Sequence, residues 1–463
     1  MTIKTFTYGQ VPIEIWEFPA LILILVLMTI FGSRYQRIKC RKDDSYRFFL
    51  RGMWLKVLGG IMFGAIYVFY YGGGDTTSYY ECAMAFVNLL LEDPGAFFQA
   101  FFGDGSVETK SLFNASTGSP MGYMFFDDKT RMVIKIVVPF LLISGKSYFL
   151  CTVLVALATY GGLWRLYRMF VSYFPEFAKH LAWGILFMPS VVFWGSGILK
   201  DSFTLAAVCY FIVATNNIIT KKGRFFGKWL SLLINGFIII AVKPYILIIL
   251  LPGTMVWYFY HQIKRIRNAY FRYVIVPLIY AVILGSTYAV LTGLSGQLGR
   301  FAPEEALNTA VIIQRDLKQE YYQGNSFDIG EFDANALSIA SKFPAAVNAG
   351  LFRPYIWESR NVVMLLSGLE NLFILLLTLS VLLMLKPRVI FRLVADHPVI
   401  LYSFVFSLLF AFMIGITTSN FGALVRFKIP LIPLYMASMM VMYGHLSKFR
   451  VVKSRRRFKF MNP

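Results

Sequence analysis

The sequence predicts an all-α, polytopic integral membrane protein with about 11 transmembrane helices, interfacial helices and an external helical cap. Three observations carry this. Of the 463 residues, 57% are hydrophobic and 15% charged, with a mean hydropathy of +0.62, whereas soluble domains are about a quarter charged. Apolar runs recur at about 18 residues, the length that crosses a ~30 Å hydrocarbon core. The basic residues between those runs alternate in abundance from one loop to the next.

The runs lie near 18–33, 53–72, 147–166, 181–197, 202–220, 229–242, 244–261, 273–292, 361–385, 398–416 and 428–445. The first follows Glu14 and Glu17, not a basic stretch, so a secretory signal is not expected. With the N-terminus outside and the C-terminus cytoplasmic, the inner segments are 34–56, 165–180, 221–228, 262–273, 386–397 and 444–463. They hold 29 of the 45 Lys and Arg residues, and of the acids only Asp43, Asp44, Glu176 and Asp396. That asymmetry is the positive-inside pattern. It explains the net charge of +21 through orientation and anionic lipid. Nucleic acid is not an expected partner.

Residues 131–145 are apolar but short and carry Lys135, which predicts an interfacial or re-entrant helix leading into the next span. The whole chain reads as a single transmembrane domain with two long outer loops. The loop 73–146 contains an amphipathic stretch, 79–102, suited to the interface. The loop 293–360 is acidic and reads as a small helical cap. The four cysteines (Cys40, Cys82, Cys151, Cys209) and four histidines are scattered without metal-ligand spacing. No metal site is expected, and no cofactor is required.

Ionisable residues gather at the expected outer ends of spans, where charge is costly and tends to be functional. Asp75 lies in Gly72-Gly73-Gly74-Asp75-Thr76-Thr77-Ser78-Tyr79-Tyr80, and Lys200 and Asp201 lie in a tight turn after Trp194. Lys243-Pro244-Tyr245, Arg353-Pro354-Tyr355, Trp357-Glu358 and Arg426-Phe427-Lys428 complete the set. Lys200, Lys243, Arg353, Arg426 and Lys428 suit a phosphate or pyrophosphate, which Arg binds bidentately and Lys meets as a point charge. Beside an anionic leaving group, Asp75 can act as general base. It also suits a cap for a helix starting near Thr77. Asp201 reads as a cap or a partner of Lys200, with Glu358 similar. Glu370, inside a span, reads as packing with Asn371 or Ser367. Tyr79, Tyr80, Trp194, Tyr245, Tyr355 and Trp357 read first as an interfacial belt and second as stacking platforms.

The 74–80 stretch, together with Asn420-Phe421-Gly422-Ala423-Leu424-Val425-Arg426-Phe427-Lys428-Ile429-Pro430-Leu431-Ile432-Pro433, resembles the GT-C superfamily of membrane glycosyltransferases and the related exopolysaccharide and O-antigen polymerases. The resemblance rests directly on these short motifs. It implies Asp75 as the base and Arg426 as the ligand of the lipid-carrier phosphate, with Lys200, Lys243 and Arg353 in support. The expected reaction is an inverting sugar transfer from a polyprenyl (undecaprenyl) phosphate or diphosphate donor to a glycan or glycolipid. Its place would be the outer face of a bacterial inner membrane. No Asp-x-Asp metal signature is present, so a divalent cation is optional in this scheme. The alternative is a transporter or flippase that binds an anionic headgroup. The enzyme reading expects Asp75 and Arg426 to share one cleft.

Overall fold

The computed structural model describes residues 5–8, 11–265, 311–312, 326–333 and 336–461. The described residues are predominantly α-helical, with an N-terminal antiparallel hairpin of β1 (Thr5–Tyr8) and β2 (Val11–Glu14). The chain divides into two compact units. The first comprises Met1–Leu166, Val191–Ala214 and Trp229–Lys243. The second comprises Tyr167–Ser190, Thr215–Lys228 and Pro244–Pro463.

Among the described residues, seven helices are long and apolar enough to cross a membrane. They are α1 (Glu17–Cys40), the run Asp44–Tyr70 that contains α2 (Phe49–Ala65), α8 (Tyr148–Tyr173), α11 (Lys200–Ile219), α12 (Phe225–Val242), α16 (Val362–Met384) and α18 (Pro398–Thr417). An eighth crossing arises if α19 (Phe421–Phe427) and the start of α20 (Ile432–Met461), bent at 68°, form one span. The difference from the expected eleven has three sources. The run 273–292 lies outside the described residues, as does about half of the expected cap at 293–360. The run 244–261 forms α13 (Pro244–Arg265), with Pro252 inside it and an apolar stretch of only Tyr245–Tyr260.

The third source is the run 181–197, which is not one helix. It is α9 (Ala178–Ile185), α10 (Pro189–Phe193) and an irregular turn. Pro189 cannot extend α9, because it lacks the amide hydrogen and disfavours helical backbone at the residue before it. Within the first unit α8 and α11 nevertheless run parallel. Gly162 of α8 lies against Ala206 and Cys209 of α11, while Thr152 and Ser196 both meet Gly60 of α2. The chain between two parallel helices must return to its starting end, so the broken stretch makes that journey.

The hairpin of α1 and α2 is antiparallel, with Met53 and Leu50 against Gly32. The α2–α8 pair is antiparallel too, with Tyr160 against Gly52 and Tyr148 against Gly64. One end of the first unit therefore collects the starts of α1, α8 and α11 with the end of α2. Between α2 and α8, residues 73–146 fold into α3 (Asp75–Glu92), α4 (Pro94–Phe102), α5 (Val107–Lys110), α6 (Gly122–Phe125) and α7 (Asp128–Ile143). The first half of the stretch expected at the interface is internal, since α3 packs on α7 and buries Tyr79, Tyr80, Cys82, Phe86 and Leu89, whereas α4 leaves Phe98 and Phe102 exposed. Buried Arg131 ties the loop together, with Nη1 donating to the Phe125 carbonyl (2.7 Å) and Nη2 to that of Asp104 (2.7 Å).

In the second unit α14 (Ala336–Ser341) leads to α15 (Phe343–Phe352), which lies backbone-close to α18 because Gly350 faces Ala411 and Gly415 faces Ala346. The short helix α17 (Pro387–Asp396) joins α16 to α18. Asn361 caps α16, accepting from the Met364 amide (2.8 Å), and Thr378 of α16 shares a hydrogen bond with Tyr435 of α20 (2.9 Å).

Candidate functional site

The first unit sets Asp75 on unusual backbone. Past Ala65 the helix widens into a π-turn over Ile66–Tyr70, a form that often marks functional positions. Gly72, Gly73 and Gly74 follow with φ of 70°, 144° and 142°, values that favour glycine. A Cβ on Gly74 would also lie 2.7 Å from the Tyr67 ring. Helix α3 then starts at Asp75, which stands exposed in its first turn. The helix start is closed by Gly74 and Thr77, with the Gly74 amide donating to Thr77 Oγ1 (3.0 Å). A carboxylate in this turn also complements the helix dipole. The cap expected of Asp75 is thus supplied by its neighbours.

Tyr79 and Tyr80 are corrected more sharply. They are 4% and 1% exposed. Tyr80 donates to the Lys146 carbonyl (2.8 Å) and packs edge-on against Tyr148. Rings placed this way are internal struts, not platforms for a sugar. One helical turn of α3 carries Asp75 at the surface and turns the next residues inward. Trp194 is buried as well.

At the same end of the unit, Lys200 opens α11. Its Nζ donates to Asp127 Oδ2 (3.2 Å) and Thr130 Oγ1 (2.7 Å) at the start of α7. Asp201 has a nearer partner than Lys200. It is 1% exposed and accepts from Lys243, itself 6% exposed, at the end of α12. That buried pair closes α11 against α12, so Lys243 is already engaged by a carboxylate. The Lys200 side chain keeps 25% exposure and that of Asp127 keeps 46%, so this second pair faces solvent. Partial burial would push the Asp127 carboxyl up, but the hydrogen bond from Thr130 and the charge of Lys200 outweigh it and hold it below the ordinary Asp value. Asp127 and Thr130 were not singled out in the sequence. The only signal was Asp127-Asp128 ahead of an apolar run, a common helix start.

The second unit holds the remaining candidates. Arg353 forks onto Glu358, with Nε donating to Oε1 (3.0 Å) and Oε2 (3.2 Å). Its guanidinium lies 4.7 Å from the Phe327 ring and 5.5 Å from that of Phe421. Glu358 also accepts from the Tyr355 amide (2.8 Å), and Tyr355 stacks on Trp357, which is 78% exposed. Lys428 sits at the bend between α19 and α20, 1% exposed, donating to Asn371 and to the Arg353 carbonyl (3.2 Å). Such a cation braces the bend and is not open to a phosphate. Arg426, in the last turn of α19, is half-buried. Tyr245, at the start of α13, lies 6.4 Å from the Phe410 ring. Glu370 takes neither Asn371 nor Ser367. It accepts from the Ser190 amide (2.7 Å) and hydroxyl (2.6 Å), a tie that spans 180 positions and has no local signal.

Asp75, Lys200, Asp201 and Lys243 belong to the first unit, and Tyr245, Arg353, Glu358, Arg426 and Lys428 to the second. Among the described residues no group of three or more His, Cys, Asp or Glu is placed to hold a metal ion. Cys82, Cys151 and Cys209 are buried free thiols. The fold and these groups define an α-helical protein whose apolar helices suit a membrane and whose first unit presents a carboxylate and an ion-paired lysine at one end. No protein-family model matches the chain, and neither a curated protein nor a solved structure matches it.

Proposed function

We propose that the protein is a membrane glycosyltransferase or polysaccharide polymerase. It transfers a sugar or oligosaccharide from a polyprenyl-(di)phosphate donor to a glycan or lipid acceptor at the outer face of a bacterial inner membrane. The observation that carries this reading is the polar end of the first unit. Exposed Asp75 follows a π-turn and three positive-φ glycines, and partly exposed Lys200 stands at the same end on an acid–hydroxyl pair. Asp75 takes the proton of the acceptor hydroxyl as its oxygen attacks the anomeric carbon. The bond from that carbon to the phosphate oxygen breaks with inversion. Lys200 exchanges Asp127 for the departing phosphate and stabilises its charge. The resemblance assigns the carrier phosphate to Arg426. Of the five cations expected to bind phosphate, Lys243 and Lys428 instead serve as internal braces.

A second reading, a transporter for an anionic headgroup, has its own support. The return stretch 174–199 is broken, α19 and α20 meet at 68°, and Lys56, Glu370 and Lys428 are buried. Transporters use interrupted helices and buried ionisable groups in this manner.

The test is incubation of the purified protein, in vesicles, with a radiolabelled polyprenyl-linked sugar and a glycan acceptor. A labelled glycosidic product that vanishes in Asp75→Asn, with expression and donor binding kept, is the expected result. Full activity in that variant would remove Asp75 from the mechanism. Lipid movement without product would establish the transporter.

A further inference from the structure

The first unit contains a buried lysine amine for which the proposed chemistry has no use. Lys56 lies in the run Asp44–Tyr70, is 1% exposed, and has no described carboxylate within ion-pair distance. Its Nζ donates to the carbonyls of Val191 (3.3 Å) and Gly195. Those carbonyls belong to the break in the return stretch, where α10 ends at Phe193 without a continuing helix. Helix ends leave carbonyls unpaired, and the partial negative charge there favours a cation.

The surroundings are shaped for that contact. The turn is pressed onto α2, where a Cβ on Gly59 would lie 2.3 Å from the Val192 carbonyl and one on Gly60 3.0 Å from that of Ser196. A Cβ on Gly195 would approach Nζ to 2.9 Å. Three other carbonyls of the break have local donors. That of Val192 accepts from the Ser196 hydroxyl, that of Trp194 from Ser202 (3.4 Å) and that of Gly197 from the Leu199 amide (2.9 Å). Val191 and Gly195 accept from Lys56. Interrupted membrane helices elsewhere present such carbonyls to a free monovalent cation.

We infer that the carbonyls of Val191 and Gly195 form a monovalent-cation site whose permanent occupant is the tethered ammonium of Lys56. Lys56 is thereby the positioning residue for the turn that delivers Lys200 and Asp201 to the start of α11. The ammonium does the work of a bound ion, without dependence on salt and without exchange. This stands apart from the proposed enzymatic activity, because it concerns a carbonyl cluster and its occupant, whatever the turn is used for.

Chemical rescue tests it. In the full-length, detergent-purified protein, Lys56→Ala removes the tethered ammonium and leaves a channel the length of its side chain. The variant is expected to lose about 5 °C or more in melting midpoint. Propylammonium or butylammonium at millimolar concentration should restore at least half of that loss, while leaving the wild type unmoved. Lys56→Arg keeps charge and donors and should stay within about 2 °C of wild type. Lys56→Met, of similar volume but without donors, should match the alanine variant in the absence of amine. A methionine variant as stable as wild type overturns the inference. So does an alanine variant that no alkylammonium restores. If Lys56→Ala does not accumulate in membranes, accumulation of Lys56→Arg without Lys56→Met supports the site, and any other pattern sinks it. A failed sugar-transfer assay alongside successful rescue would reject the enzyme and leave the cation site standing.

Discussion

Lys243 and Asp201 show what a charge near hydrocarbon needs. Removing two ions from water is costly, and their mutual attraction offsets that cost only when both are present in good geometry. Lys243→Met should destabilise the protein by about 3–5 kcal/mol, since it leaves the Asp201 carboxylate without the ammonium it accepts from. The double variant Lys243→Met/Asp201→Leu should recover part of the loss. Denaturation of both variants in detergent reads the difference, and a double variant no better than the single would refute a mutually dependent pair. The more open pair should behave differently. The Asp127 carboxyl is held below its ordinary value, so its contribution to stability is complete above about pH 4 and is lost as pH falls through its folded pKa. Thermal melts of wild type and Asp127→Asn from pH 6 to about pH 3 should converge at the acid end. Curves that stay parallel throughout would show that Asp127 titrates alike in the folded and unfolded states.

Individual elements explain how such residues reach their partners. The broken return stretch fits beside α2 because α2 carries no side chain at Gly59 and Gly60, so backbone meets backbone. Gly59→Ala should therefore cost about 1–3 kcal/mol, the range for overpacking a tight interior. Gly227→Ala in α12, where a Cβ would meet nothing within 4 Å, should be neutral or mildly stabilising. Equal effects of the two changes would mean that contact at Gly59 is not limiting. The break itself was written in the chain. Pro189, Gly195 and Gly197 stand inside an apolar run of 17 residues, and each is a poor helix residue. Hydropathy registers only the solvent preference of such a run, whereas proline and glycine decide whether its backbone stays helical.

Across the whole molecule, the same division separates what could be read early from what could not. Apolar length and the sparse charge of the chain follow from transfer free energies that add residue by residue. They suffice for an all-α protein with helices of membrane-crossing length. The polar ends of those helices were legible too, because a charged residue stands out in such a background. Asp75 in its glycine stretch and Lys200 in the turn after Trp194 were found in that way. Their partners were not. The contacts of Lys200 with Asp127 and of Lys243 with Asp201 join positions 73 and 42 apart. Nothing local distinguishes a cation held by such a partner from one left open. Sequence alone thus determined the class of the fold and the places where charge is tolerated. Tertiary packing decided which charges brace the interior, which tyrosines turn inward, and which groups remain at the surface. Burial and pairing depend on neighbours that only folding brings within a few ångströms.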